Sequence, residues 1–105
     1  VTAKPAVNIT QPNTNPSSTS SLYISISATI LNVKHKSNVS FILNGIKLNT
    51  FQFFGNSFQA NNVMLKEGKN RIVIRGENST GAASDETIIE YIRKVSIFTP
   101  LNIRL

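Results

Sequence analysis

From Leu22 to Val33 the chain reads LYISISATILNV, and apolar and polar side chains take turns along it. Leu22, Ile24, Ile26, Ala28 and Ile30 fall on one side of an extended chain, and Tyr23, Ser25, Ser27 and Thr29 on the other. Successive side chains of an extended backbone point to opposite sides, so a period of two marks a strand with one buried and one solvated face. Asn32 breaks the alternation, and Val33 is expected to tuck beneath the loop that follows.

Shorter pieces repeat the pattern. Ala6 to Gln11 predicts a first strand, with Val7 and Ile9 on one parity and Pro5 and Pro12 at its ends. Pro12 to Ser21, PNTNPSSTSS, has no apolar residue to bury and reads as a loop. After the charged turn Lys34 to Asn38, Val39, Phe41 and Leu43 form the inward side of a strand. Asn44-Gly45 accepts the two positive φ angles of a type I′ turn at little cost, so it predicts a hairpin whose return carries Ile46 and Leu48 inward.

Phe51 to Phe54 is a short strand or edge segment, and Gly55-Asn56 turns the chain into Ser57 to Lys66. There Phe58 and Ala60 share one parity and Val63 and Leu65 the other, which places a bulge at Asn61-Asn62. Glu67-Gly68 and Asn78 to Gly81 bracket a strand with Ile72 and Ile74 inward, and Ala83 to Ile92 follows. Setting Arg75 opposite Glu86 puts Val73 opposite Ile88 and Arg71 opposite Glu90 on the outer face. It also puts Ile74 opposite Thr87 and Ile72 opposite Ile89 inside, matching charge with charge and apolar with apolar.

No stretch has the apolar spacing of a helix. The expected fold is all-β, an antiparallel two-sheet sandwich of seven to eight strands. The linker is 1–5, the domain 6–92, and 93–105 an extension (IRKVSIFTPLNIRL from Ile92) that forms an extra strand or leads into a following module.

Composition narrows the function classes. A chain of 105 residues with 40% hydrophobic content forms one globular domain with a single core. It lacks Cys, which removes disulfides, thiolate metal sites and a Cys nucleophile, and which is ordinary in a bacterial surface protein. No apolar run reaches the ~18 residues a membrane-spanning helix needs. No signal peptide opens the chain, and Val1 in place of Met points to a piece of a longer protein. The net charge of +6 comes from dispersed bases rather than a cluster interleaved with aromatics, so nucleic acid is not an expected partner.

From Leu65 to Tyr91 the chain shows Leu65, Gly68-x-Asn70, the alternating Ile72 and Ile74, Asn78-Ser79-x-Gly81, then Thr87, Ile89 and Tyr91. Together with VNITQP, ISATILNV and VSFILNG upstream, this resembles the immunoglobulin-like repeats of bacterial surface and secreted proteins, especially of Bacteroidetes-type bacteria. The resemblance covers about Ala6 to Tyr91. It implies an immunoglobulin-like sandwich, an extracellular or cell-surface location, neighbouring domains in the same chain, and a spacer, display or adhesion role without catalysis. Two departures stand out: the apolar extension, and the lack of the acidic clusters that calcium-rigidified arrays carry between modules.

Candidate chemistry is sparse. His35 is the only histidine and sits among lysines, where it assembles neither a triad nor a metal site. Asp85 and Glu86 are adjacent, so a strand sends them to opposite faces and they cannot converge as a glycosidase pair. Five dispersed acids do not supply a calcium site, and no cofactor or metal is expected. Asn8-Ile-Thr10, Asn38-Val-Ser40 and Asn78-Ser-Thr80 match the glycosylation triplet, as an Asn/Ser/Thr-rich chain does by chance.

Phe51, Phe53, Phe54 and Phe58 read as core rather than as a stacking platform. One contact face stands out. Ile42, Val73 and Ile88 would form an outward apolar row rimmed by Arg71, Arg75, Glu86 and Glu90, an apolar centre inside a charged rim. The expected function is a non-catalytic module that spaces, displays or adheres at the surface, binding a protein or glycan. The alternatives are a carbohydrate-binding module attached to a secreted glycoside hydrolase and a basic nucleic-acid-binding β-barrel.

Overall fold

The computed structural model describes residues 3–93. Nine strands follow in order: β1 (Ala6–Gln11), β2 (Ser17–Thr19), β3 (Tyr23–Leu31), β4 (Val39–Leu43), β5 (Ile46–Leu48), β6 (Gln52–Phe54), β7 (Ser57–Met64), β8 (Gly68–Asn78) and β9 (Gly81–Tyr91). A single 3-10 turn, Lys36–Asn38, precedes β4. The strands form two sheets, β1-β3-β7-β6 and β2-β9-β8-β4-β5, packed as a sandwich. Of the extension, Ile92 and Arg93 lie after β9, and the expectation for Lys94 onward falls outside the described residues.

The core is where alternation put it. Ile26, Ala28 and Ile30 of β3, Phe58 and Ala60 of β7, Phe41 of β4, Ile72 and Ile74 of β8 and Ile89 of β9 are all buried. Phe41 from one sheet meets Phe58 from the other edge-on at 5.4 Å, and Phe51 stacks on Phe58 at 4.9 Å. These three rings bury large area and gain from aromatic geometry. Phe54, by contrast, is 76% exposed, because β6 alternates and Phe53 takes the inward position opposite Phe58.

Local backbone signals hold. Asn44 and Gly45 have φ of 53° and 84° and close the β4–β5 hairpin. Asn62 has φ of 56° where the β3–β7 ladder shifts from Ile26↔Ala60 to Ile24↔Val63, so the bulge flips parity and keeps Val63 and Leu65 inside. Asn32 turns with φ of 64° and delivers Val33 into the core.

Besides Phe54, three expectations are corrected. First, the register of β8 against β9 is displaced by two residues: Arg71 opposes Ile88, Ile72 opposes Thr87, Val73 opposes Glu86 and Arg75 opposes Ser84. The turn decides this. Asn78 pairs with Gly81 across Ser79-Thr80, and its Oδ1 accepts from the Thr80 N–H at 2.8 Å and from the Thr80 hydroxyl at 2.6 Å. The charge-matched register would move the turn one residue on, to Thr80-Gly81, and forgo these Asn78 bonds, and an exposed ion pair contributes too little to outweigh them. A shift of two keeps every side chain on its face, so the inside–outside assignment survives.

Second, the stretch Pro12 to Ser21 contains a strand. β2 pairs in parallel with β9, as Ser17↔Ile89, Ser18↔Glu90 and Thr19↔Tyr91, which takes the count to nine and adds a parallel pair to an otherwise antiparallel fold. Backbone groups on the β9 edge need partners whatever the side chains are, so a polar segment without periodicity can still be recruited. Third, Ile46 is exposed rather than inward: it is the first residue of β5, next to the hairpin turn and on the edge strand of its sheet.

Candidate functional site

The outward side chains of β5, β4, β8 and β9 form a grid. One cross-strand row runs Lys47, Ile42, Val73, Glu86, the next carries Arg71 and Ile88, and the row on the other side carries Ser40, Arg75 and Ser84. Lys69 and Glu90 oppose each other one step beyond Arg71 and Ile88, with Ser18 of β2 beside Glu90. Every residue of the expected contact face is therefore on this sheet. Ile42 and Val73 are direct partners, while Val73 and Ile88 are diagonal neighbours rather than opposed.

The other diagonal of that cell is an ion pair. Arg71 donates from Nε to Glu86 Oε2 at 2.8 Å and from a terminal nitrogen to Oε1 at 2.9 Å, a bidentate fork across the apolar row. These hydrogen bonds, with the attraction between the charges, hold the Glu86 carboxyl below the usual carboxylate range and raise the Arg71 guanidinium above its own. Arg75, expected to meet Glu86, instead pairs with Glu77 on its own strand.

Side-chain amides extend the ladders that frame this face. Asn15 donates from Nδ2 to the Glu86 carbonyl at 3.2 Å and accepts at Oδ1 from the Ile88 N–H at 3.0 Å, so one side chain imitates a paired peptide just before β2 begins. Asn44 accepts at Oδ1 from the Arg71 N–H and donates its own N–H to the Arg71 carbonyl, both at 2.9 Å. Between them an open groove of about 620 Å³ has Ile88 on its floor and Lys69, Arg71 and Glu90 on its rim.

Beneath it Asn70 is fully buried. Its Oδ1 accepts from Asn44 Nδ2 and the Lys66 N–H, and its Nδ2 contacts the carbonyls of Lys66, Gly68 and Ile89 at 2.9 to 3.2 Å. The sequence signal for this clamp is Gly68-x-Asn70. Neither Asn15 nor Asn44 announces its pairing in the sequence, because each acts through contacts distant along the chain.

The acids diverge. Asp85 points to the open edge of the sandwich and accepts the Ile9 N–H at 2.8 Å, capping edge strand β1, while Glu86 points outward to Arg71. His35 is exposed ahead of the 3-10 turn. Among the described residues no group of three or more His, Cys, Asp or Glu side chains is placed to hold a metal ion.

The other sheet is chemically distinct. None of β1, β3, β6 or β7 contains a charged residue. Its outer rows run Gln11, Ser27, Gln59, Gln52 and Asn8, Thr29, Ser57, Phe54. Next to the first row, a groove of about 600 Å³ opens between the Pro12–Ser21 segment and the start of β3. No charged side chain lines it.

No family model matches the chain, and no curated protein matches it. Among solved structures it is similar to one described as "putative beta-galactosidase from bacteroides fragilis", with a TM-score of 0.70 and 18% sequence identity. The match covers 87% of this chain and 13% of that one, so the chain spans only a small part of the structure it resembles. The likeness is one of fold.

Proposed function

We propose that the chain is a non-catalytic, immunoglobulin-like module of a larger exported bacterial protein, acting as a spacer, display or adhesion unit at the cell surface. One observation carries this reading: nearly the whole chain superposes on a minor segment of a much larger polypeptide, as a self-contained domain would. The divergence of Asp85 and Glu86 supports it, since each is committed to a structural partner instead of a shared cleft. On this reading Ile42, Val73 and Ile88, with the Arg71–Glu86 fork, form the side that meets a neighbouring domain. Among the described residues no helix is long and apolar enough to cross a membrane.

The test has two arms. The chain should not hydrolyse aryl galactosides or glucosides, and turnover that vanishes in Glu86→Gln or Asp85→Asn overturns the non-catalytic assignment. In the parent polypeptide, Ile88→Asp should loosen the packing of an adjacent domain, read as increased interdomain motion in solution scattering. Unchanged scattering overturns the contact face.

A second reading, a carbohydrate-binding module beside a glycoside hydrolase, is favoured by the uncharged sheet with Phe54 exposed at its edge and by the described activity of the similar structure. The nucleic-acid reading required a closed barrel, and the fold is instead two open sheets.

A further inference from the structure

We propose that the uncharged side of the sandwich is a binding site for a neutral oligosaccharide. The groove beside Tyr23 would hold one end of the sugar chain, and the row Gln11, Ser27, Gln59, Gln52 its continuation. This rests on the second, carbohydrate-binding reading above and deepens it by naming the site and the ligand class; it does not depend on the spacer role.

The groove is lined by hydroxyls and amides, among them Gln11, Asn13, Ser17, Thr19, Tyr23 and Ser25, with Ile24 and Ile89 as apolar patches. Each hydroxyl or carboxamide both donates and accepts, which matches the dual character of sugar hydroxyls. An ionic ligand would find no counter-charge in this lining, whereas a neutral polyol loses nothing by that. The volume of about 600 Å³ lies within the ordinary range for small-ligand sites.

The groove does not end at β1. Gln11 belongs both to its wall and to the outer row of the sheet. Along that row Ser27 donates to Gln59 Oε1 at 2.6 Å, and Gln59 Nε2 donates to Asn61 Oδ1 at 2.8 Å. Held by its neighbours, Gln59 presents its amide in a fixed orientation, so less entropy is lost on binding. Strands about 4.8 Å apart make the row of four roughly 14 Å long, enough for two to three pyranose units. Tyr23 is 54% exposed at the groove, and its ring offers a face to pyranose C–H groups.

The experiment is affinity electrophoresis of the 105-residue chain in gels containing laminarin, xyloglucan, galactan or, as a polyanion, polygalacturonate. Retardation by at least one neutral polysaccharide, unchanged at high salt, is the expected result. Tyr23→Ala should weaken it about tenfold and Tyr23→Phe much less, because the ring supplies most of the contact. Gln11→Ala, also at an exposed position, should weaken it several-fold. Thermal unfolding of each variant verifies the fold. The proposal is overturned if no neutral polysaccharide retards the chain, if only polygalacturonate does so and salt relieves it, or if Tyr23→Ala and Gln11→Ala both bind like the parent. A surface that instead docks a neighbouring domain gives the first of these outcomes.

Discussion

On β8 and β9 the outward positions carry Lys69, Arg71, Arg75, Glu86 and Glu90, whereas on β3 and β7 they carry Tyr23, Ser27, Thr29, Ser57 and Gln59. Both sheets cover the same core, so burial does not explain the difference. Charge on a sheet face or edge discourages unmatched pairing with another sheet, since a partner must desolvate it or supply complementary charge. The five-stranded sheet is protected in that way. The four-stranded sheet has only short β6 and the Asp85-capped β1 as edge protection, and its flat face carries neutral hydrogen-bonding groups. Two faces of one small domain thus present different chemistry.

If the order of the charged sheet is imposed from beneath, removing Asn70 should disturb it most. Asn70→Ala leaves the Lys66 N–H and the carbonyls of Lys66 and Ile89 without that partner in a buried setting. We expect a loss of about 3–5 kcal/mol in denaturant unfolding, the range for breaking a buried network. Asn70→Asp should cost nearly as much, because a carboxylate cannot donate to those carbonyls. A loss under about 1 kcal/mol would show that the clamp follows the fold rather than directing it.

The next test lies at Gly76, where side chains of the opposite sheet and of Val33 leave little room for a Cβ. A Cβ on Gly76 would come within 3.1 Å of the Ile30 and Val33 Cγ2 methyls, both buried. Gly76→Val should cost about 2–3 kcal/mol by overpacking. Gly76→Ala should cost less, since reduced freedom of the unfolded chain offsets part of the clash. Equal stability for both variants would mean that the sheets can separate locally.

Thr87 marks the reverse case. Its side chain is buried opposite Ile72, and among the described residues its hydroxyl has no hydrogen-bond partner. Thr87→Val keeps the shape and removes an unsatisfied group, so it should stabilise by about 1 kcal/mol, read as a higher unfolding midpoint at unchanged denaturant dependence.

These sites separate what periodicity can convey from what it cannot. The inward sets of β3, β7, β8 and β9 were legible because burial imposes a period of two. Asn44-Gly45 and Asn61-Asn62 were legible because positive φ restricts residue choice. β2 was illegible: Ser17 to Thr19 pair through backbone groups, which every residue has. The β8–β9 register was misread because opposite charges on neighbouring strands look like partners, whereas a two-residue turn tied by Asn78 outweighed them. That Ile42, Val73 and Ile88 share the outer side of one sheet was legible, and the diagonal fork between Arg71 and Glu86 was not.

That fork gives the smallest effect and the clearest sign. Arg71 and Glu86 are largely solvated, so solvent screening limits what the pair contributes, despite its bidentate geometry. The Glu86 carboxyl is held below its usual range in the folded state, chiefly by the hydrogen bond from Arg71. Its contribution is therefore present above the pKa of the unfolded carboxylate and is lost as pH falls through the lower folded value. Glu86→Gln should leave neutral-pH stability nearly unchanged and flatten the acid limb of the stability–pH curve, with the difference from the parent shrinking toward zero at low pH. Were the parent instead the less stable of the two at neutral pH, with the gap closing on acidification, the fork would be opposing the fold, and the register would rest on the Asn78 turn and the Asn70 clamp alone.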